Sequence, residues 1–255
     1  MEKLIVYSDK SSHKFSEGFS KNNFNEVMSR KKFLFLSKFL KFRDKIPYFL
    51  NDFHTFHEDD VRHIEAARKI RNVKKSDLSL VVFDAHTDMY QCGEKYHPIE
   101  EKVDMANWIA YMLNENYPDI SILGVSDITS TCPQRKGFEY RLFKDRLSLF
   151  LGEDIIFEKD FKEYNNEFPL YNINDFFNKN LKKYSFISLD ADVNLNFTVK
   201  TYGIGRHGRM EMEQIIKAIK YVKEKSNLIG FSFYASGWGE AFRSKSEILL
   251  SILNS

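Results

Sequence analysis

The stretch Leu78-Ser79-Leu80-Val81-Val82-Phe83-Asp84-Ala85-His86-Thr87-Asp88 places three ionisable side chains directly behind an apolar run. A short apolar run rich in β-branched residues is typical of a buried strand in a parallel sheet. Alternate side chains share one face of an extended chain, so Asp84, His86 and Asp88 can point into one site while the small Ala85 and Thr87 face away. The segment therefore predicts a strand that ends in a cluster of metal ligands.

A second stretch repeats this arrangement about a hundred residues later. The strand candidate Tyr184-Ser185-Phe186-Ile187-Ser188-Leu189 is followed by Asp190 and Asp192 with the same alternation. Either motif alone is compatible with an ordinary acidic turn after a strand. Five ionisable groups at the ends of two apolar strands, however, would repel and desolvate one another without a cation. Together the motifs predict two divalent ions; histidine with several carboxylates suits Mn²⁺, and Zn²⁺, Fe²⁺ or Co²⁺ are the alternatives.

The rest of the chain alternates between helical and strand patterns. Predicted helices cover residues 24–42, 58–71, 106–113 and 211–225, and further predicted strands cover residues 119–125, 153–157 and 228–234. This order implies parallel β-α-β crossovers, and hence an α/β fold in which helices flank a mainly parallel sheet. Such sheets bind ligands at the carboxyl ends of their strands, where both motifs lie. We expect one domain over residues 1–255, with residues 1–45 forming a basic helical N-terminal extension of unassigned role.

The composition of the chain limits the kinds of molecule that it is expected to bind and the compartment in which it is expected to work. The chain has 38 Lys and Arg against 36 Asp and Glu, a net charge of +2, which gives no general attraction to nucleic acid or to an anionic membrane. Cys92 and Cys132 form no metal-binding spacing, and a reduced, cytoplasmic chain is the simplest fit. The first residues lack the apolar core of a signal peptide, and no apolar run is long enough to span a bilayer. The sequence leaves a monomer and a homo-oligomer open.

Both motifs resemble signatures of the ureohydrolases, the superfamily of arginase and agmatinase. Asp84-Ala85-His86-Thr87-Asp88 matches the family's Asp-Ala-His-x-Asp in full, and Ser188-Leu189-Asp190-Ala191-Asp192 matches Ser-x-Asp-x-Asp. The family's first signature is a strand that ends in Gly-Gly-Asp-His. Pro47-Tyr48-Phe49-Leu50-Asn51-Asp52-Phe53-His54 corresponds to it in position, with the glycines replaced. His54 is the expected ligand there, and His57 is the alternative.

The resemblance implies an arginase-like fold of three layers, αβα, around a dinuclear manganese site. The ligands that it implies are His54, Asp84, His86, Asp88, Asp190 and Asp192. Asp84 and Asp190 would bridge the ions, and a hydroxide between the ions would attack the planar carbon of a guanidino group. Asp88 would accept a hydrogen bond from that hydroxide. His97 is the implied proton shuttle to the leaving amine, and a surface-loop histidine beside Pro98 is the equally supported reading.

The chain departs from the family pattern where the substrate would bind. Val193-Asn194-Leu195-Asn196-Phe197 replaces the family's Asp-Pro and apolar-Pro-Gly turn. Ala235 stands where the family's late strand ends in a Glu that pairs with the guanidinium group. Glu240, in the following loop, is the candidate substitute, with a surface carboxylate as the alternative. The segment Tyr202-Gly203-Ile204-Gly205-Arg206-His207-Gly208-Arg209 fits either a cationic mouth for an acidic group or a plain loop.

Some features resemble a divergent arginase-like branch that includes peptide arginases, which convert arginine within a peptide into ornithine. These features are Ile46-Pro47 before Asp52-Phe53-His54, and Asp104-Met105-Ala106-Asn107-Trp108-Ile109 some twenty residues after the motif that ends at Asp88. The implied activity is hydrolysis of a guanidino group, in a peptide or in a small compound, to an amine and urea. The rivals are a metal-dependent deacylase on the same scaffold and a non-catalytic metal-binding interaction protein.

Overall fold

The computed structural model describes most of the sheet and the helices that cover it. The described residues are 2–7, 26–37, 42–52, 58–89, 103, 107–125, 145–151, 170–194 and 210–235. Within them, nine strands form a single sheet in the order β2-β1-β3-β9-β8-β4-β5-β6-β7, and every neighbouring pair is parallel. The expected α/β fold with a mainly parallel sheet is confirmed.

The described residues form nine strands and four α-helices. The strands are β1 Glu2–Tyr7, β2 Glu26–Ser29, β3 Lys45–Asp52, β4 Leu78–Phe83, β5 Ile120–Val125, β6 Leu147–Leu151, β7 Leu170–Asn172, β8 Tyr184–Asp190 and β9 Asn227–Ala235. The described α-helices are α1 Arg30–Ser37, α2 Glu58–Arg71, α3 Trp108–Asn114 and α4 Met212–Lys225. Short 3₁₀ turns cover Lys75–Asp77, Ile173–Asn178 and Ala191–Val193.

Apolar side chains on the two faces of the sheet form two separate hydrophobic cores. On β4, Leu80 and Val82 face one core, and Val81 and Phe83 face the other. The first core contains residues of α1, α2 and α3, and the second contains residues of α4 and of the 3₁₀ turn Ile173–Asn178. Because a strand buried on both faces has no polar side, β4 is apolar throughout apart from one serine. The result is the expected three-layer αβα arrangement.

The predicted central elements are confirmed with small shifts at their ends. The helix predicted over residues 58–71 has those bounds in α2, and the strand predicted at Leu78 to Phe83 is β4. The helix predicted over residues 106–113 begins at Trp108 and ends at Asn114, within the part of the chain that is described. The strand predicted over residues 153–157 lies outside the described residues.

The described part of residues 1–45 is helical only in part, whereas the sequence predicts a helical N-terminal extension. β1 and β2 lie in the sheet, with β1 paired to β3, and helix is described in this region only at α1. Leu4, Val6 and Met28 are buried, as is Phe33 of α1. The helical periodicity of residues 24–42 is overridden at β2, because pairing with β1 satisfies its backbone groups. The N-terminal region is therefore part of the fold rather than an appendage.

No helix among the described residues is both long and apolar enough to cross a membrane.

Candidate metal centre

The two ligand motifs leave the sheet side by side, because β4 and β8 are neighbouring parallel strands. Phe83 of β4 lies opposite Leu189 of β8, so that Asp84 and Asp190 follow at the same level. The motifs thus meet at the carboxyl edge of the sheet, where open parallel sheets bind ligands. A register shift of one residue would move one motif to the other face of the sheet.

Asp84, His86 and Asp192 converge on one point, with one ligand atom of each within 4.8 Å of the others. His86 Nδ1 lies 3.0 Å from Asp192 Oδ2 and 3.4 Å from Asp84 Oδ1. Asp84 is buried, whereas the side chains of His86 and Asp192 are 36% and 21% exposed. The group is therefore buried on the side of Asp84 and accessible to solvent on the side of His86 and Asp192.

Local turns, rather than an extended chain, bring these side chains together. The His86 N–H donates to Asp84 Oδ1 at 2.7 Å, and the Asp192 N–H donates to Asp190 Oδ1 at 3.0 Å. A carboxylate that accepts from the backbone two residues later bends the chain as an Asx turn. The Ala85 N–H also donates to Asp192 Oδ1 at 3.3 Å, which links the two motifs. The ligand residues thus lie directly after the strands, as the sequence predicts, but Asx turns rather than strand alternation bring their side chains together.

The electrostatics of this group favour a cation. Burial, together with repulsion from Asp192 and Asp190, raises the pKa of Asp84 to about 6, although His86 opposes the rise. Burial lowers the pKa of His86, but hydrogen bonds and charge attraction from Asp192 and Asp84 outweigh that effect and raise the pKa well above its usual value. The raised pKa favours a proton on His86, whose single positive charge offsets part of the charge of the carboxylates. A divalent ion would replace that proton, and the donor set of imidazole and carboxylate oxygens fits Mn²⁺ or Zn²⁺.

Asp88 and Asp190 are described but lie outside this three-residue group. Asp190 ends β8 and, besides accepting from the backbone of Asp192, is close enough to raise the pKa of Asp84. Asp88 is 8% exposed, and its Oδ2 accepts a hydrogen bond from Trp108 Nε1 at 2.7 Å. The sequence did not predict this contact. The one available signal was the position of Asn107-Trp108, some twenty residues after Asp88.

The other expected site residues lie outside the described residues. They are His54 with its alternative His57, the shuttle candidate His97, the carboxylate candidate Glu240 and the loop of residues 202–209. Their roles remain predictions. Ala235 is described as the last residue of β9, where it pairs with Asp52 of β3.

A second buried polar cluster lies behind β8, and sequence reasoning did not identify it. Ser188 Oγ donates to Asp60 Oδ2 at 2.5 Å, and His63 Nδ1 lies 3.6 Å from Asp60 Oδ1. The His63 ring stacks on Phe49 with 3.9 Å between centroids. Burial lowers the pKa of His63, although Asp60 opposes the fall. An acidic run is common at the start of a helix because it interacts favourably with the helix dipole, so Asp60 gives no sign in the sequence of a buried hydrogen bond to β8.

Comparison with known proteins identifies the fold. No family model matches the sequence, and no curated protein matches it. Among solved structures, formimidoylglutamase from Bacillus subtilis has a TM-score of 0.64 at 14% identity, over 100% of this chain and 87% of that chain. Formiminoglutamase from Trypanosoma cruzi, whose structure is described as containing Mn²⁺, has a TM-score of 0.65 at 8% identity, over 99% and 92%.

Arginase shares the same architecture. The Entamoeba histolytica arginase, solved in complex with L-ornithine, has a TM-score of 0.59 at 13% identity, over 100% of both chains. At these identities the comparison shows a shared fold, and the chain has the three-layer fold of arginase and formimidoylglutamase. The likeness includes the N-terminal strands, because it extends over essentially the whole chain.

Proposed function

We propose that this chain is a metal-dependent hydrolase of the ureohydrolase superfamily, which cleaves a linear C–N bond of a guanidino group to release an amine and urea. The convergence of Asp84, His86 and Asp192 at the carboxyl ends of β4 and β8 carries the proposal. It is supported by the fold shared with solved arginase, agmatine ureohydrolase and formimidoylglutamase structures. Neither argument alone would suffice, since a fold can host several functions.

In this proposal the chain holds two Mn²⁺ ions through six side chains. The ligands are His54, Asp84, His86, Asp88, Asp190 and Asp192. A pair of such ions supplies Lewis acidity, lowers the pKa of bound water and stabilises the charge that develops on a tetrahedral carbon. Zn²⁺, Fe²⁺ and Co²⁺ are the alternatives, because the same donor types bind them.

The protein's own groups would then orient the substrate and move protons. Asp88 is proposed to accept a hydrogen bond from the attacking hydroxide, and its burial strengthens any charge interaction that it makes. His97 is the proposed donor to the leaving amine, which needs a proton before it departs.

Two substrate classes fit the proposal, namely arginine within a peptide and a small guanidino compound. Ala235 at the end of β9 offers no carboxylate, so a guanidinium ion would have to find its partner elsewhere, and Glu240 is our candidate. The sequence features shared with peptide arginases, Ile46-Pro47 and Asn107-Trp108, favour the peptide. A preference for Arg-containing peptides over free arginine is therefore the finer part of the proposal.

An activity panel tests the proposal. The Mn²⁺-loaded protein would be incubated with arginine, agmatine, guanidinobutyrate and Arg-containing peptides, with urea measured by colorimetry and the amine by mass spectrometry. We expect equimolar urea and amine from at least one substrate. The matched control is Asp192→Asn, which preserves size but removes a proposed ligand, and we expect about 100-fold or greater loss of turnover.

The same panel separates the rival functions. Ala235 favours a non-catalytic metal-binding protein over a typical arginase, because the family's guanidinium partner is missing there. Two bound ions with no product from any guanidino substrate would support that rival. Release of a carboxylate from acylated amines, without urea, would support the deacylase instead.

A further inference from the structure

The first turn of α3 holds Asp88 at two points. Trp108 Nε1 donates to the carboxylate oxygen Oδ2 of Asp88 at 2.7 Å, and the Ile109 N–H donates to its backbone oxygen at 3.2 Å. The two donors are consecutive residues of one helix. Both are fully buried, as are Ala110, Met112 and Leu113 behind them. α3 is therefore a fixed element against which the end of the motif loop is held.

Asp88 adopts a backbone conformation that needs such support. Its φ is +47°, in the left-handed region that is unfavourable for residues with a side chain, although aspartate tolerates it better than most. The Asp88 side chain is 20 residues away from Trp108 in sequence but in direct contact with it. The contact therefore depends on tertiary structure, and α3 sets the direction of the Asp88 side chain.

The chemistry of the contact distinguishes it from ordinary packing. A buried phenylalanine would fill an apolar core as well as tryptophan does, but it has no N–H group. The indole donates to one oxygen of the carboxylate, and such a bond orients the whole group because its two oxygens are rigidly linked. Groups that hold metal ligands from behind in this way commonly change metal affinity by 10- to 100-fold, about the effect expected here.

We propose that Trp108 is a positioning residue for metal binding, which fixes the Asp88 carboxylate in its binding orientation before an ion arrives. This inference rests on the proposed function, because it takes Asp88 to be a metal ligand. Trp108 acts through Asp88 and touches neither ion nor substrate.

The test is a titration with Mn²⁺ alone. Calorimetry measures the affinity for each ion, and the electron paramagnetic resonance spectrum shows whether the bound ions form a coupled pair. Two variants remove the donor: Trp108→Phe, and replacement of Trp108 by benzothienylalanine through site-specific incorporation. The second keeps the size and shape of the indole, so it stays informative if Trp108→Phe fails to fold. We expect one ion to bind about tenfold or more weakly in both variants, with loss of the spectrum of a coupled pair at limiting Mn²⁺.

Tyr117→Phe is the matched control. Tyr117 is also a buried aromatic donor to a carboxylate in the same core as Trp108, but its acceptor is Glu65, which is not a proposed metal ligand. We expect this variant to lower stability while leaving both Mn²⁺ affinities within twofold of the wild type. An equal loss of affinity in Tyr117→Phe would mean that general destabilisation explains the effect, and would overturn the assignment.

A double-mutant cycle decides whether Trp108 acts through Asp88. In an Asp88→Asn background, we expect the loss of the indole N–H to have no further effect on Mn²⁺ affinity. Additive losses would overturn the inference, as would unchanged affinities in the benzothienylalanine variant. Failure of the proposed function is recognised separately: the wild type would then bind fewer than two ions, or bind two and turn over no substrate.

Discussion

At the scale of single residues, the candidate centre depends on what offsets the charge of its neighbouring carboxylates when no metal ion is bound. Asp84 is buried beside Asp192 and Asp190, and a protonated His86 offsets their charge. A metal ion must displace this proton, so metal binding and proton release are coupled. The same residues that make the site attractive to a cation therefore make the metal-free protein sensitive to pH.

We predict that the metal-free protein becomes less stable as pH rises from about 4 to 7. The pKa of Asp84 is raised in the folded state to about 6, so the unfolded chain ionises first, and folding is disfavoured progressively over this range. The raised pKa of His86 acts in the same direction only above about pH 6.5, where the unfolded chain loses the imidazole proton while the folded protein keeps it. The effect should be on the order of 2 kcal/mol, or about 5 °C in melting temperature.

Thermal melts in a chelator at several pH values would measure this effect. Asp84→Asn is the control, because its amide cannot ionise, and its melting temperature should depend less steeply on pH than that of the wild type. Added Mn²⁺ should stabilise the wild type more at pH 8 than at pH 5. Equal pH dependence in the wild type and in Asp84→Asn would refute the explanation.

At the scale of elements, the turn that carries Asp192 depends on a close approach from β5. Gly124 has φ +87°, at an irregularity in the pairing of β5 with β6. A Cβ placed there would lie 2.3 Å from Val193 Cγ2 and 2.9 Å from the sulfur of Met210. Val193 directly follows Asp192, and the Met210 N–H donates to its backbone oxygen. Glycine at position 124 thus leaves room for the turn that presents a proposed ligand.

Gly124→Ala should therefore lower both stability and metal affinity. The strained φ and the clash with Val193 together predict a loss of about 2–4 kcal/mol in the free energy of unfolding. Urea titration followed by circular dichroism would measure it. Ser121→Ala, in the same buried strand, adds no atoms and should change the free energy of unfolding by less than about 1 kcal/mol. Equal unfolding energies for Gly124→Ala and the wild type would contradict the close approach seen at Val193.

The central elements could be predicted from the sequence, and the edge strands could not. β4 and β8 have mainly apolar segments with a sharp polar end, and α4 has a clear amphipathic periodicity. β2, β6 and β7 have only three to five residues each, and a short apolar run does not distinguish strand from helix. β1 becomes a strand through pairing with β3, and β2 through pairing with β1, which the local sequence does not encode.

The site was predictable to a similar degree. The spacing of Asp84, His86, Asp88, Asp190 and Asp192 marked the right strand ends, because ligand residue types rarely alternate there by accident. The contacts that organise them were not predictable, since they join distant parts of the chain. Trp108 reaches Asp88 across 20 residues, and Ser188 reaches Asp60 across 128. Only the folded sheet brings such pairs together.

At the scale of the whole molecule, the sheet order joins the N-terminal region to the centre of the fold. β3 lies between β1 and β9, and β9 borders β8, which carries Asp190. Phe33 of α1 is fully buried, with its ring centroid 5.2 Å from that of Phe49 on β3. The N-terminal region should therefore unfold together with the rest of the molecule.

A matched pair of substitutions in α1 tests that cooperativity. Phe33→Ala should lower the free energy of unfolding of the entire protein by about 3–5 kcal/mol. Phe35→Ala, on the same helix with 60% of its surface exposed, should lower it by less than about 1 kcal/mol. Urea unfolding followed by tryptophan fluorescence would compare them, since neither tryptophan lies in the N-terminal region. Equal, negligible effects of both would indicate that residues 1–45 form a separate unit.

We propose a dinuclear metal centre where β4 and β8 end. Anomalous diffraction from crystals of the Mn²⁺-loaded protein, recorded at the manganese absorption edge, would locate the ions. We expect two peaks about 3.5–4 Å apart, bounded by Asp84, His86 and Asp192, and loss of at least one peak in Asp190→Asn. Crystals that show no anomalous peak at these side chains, or that show manganese bound elsewhere, would contradict it.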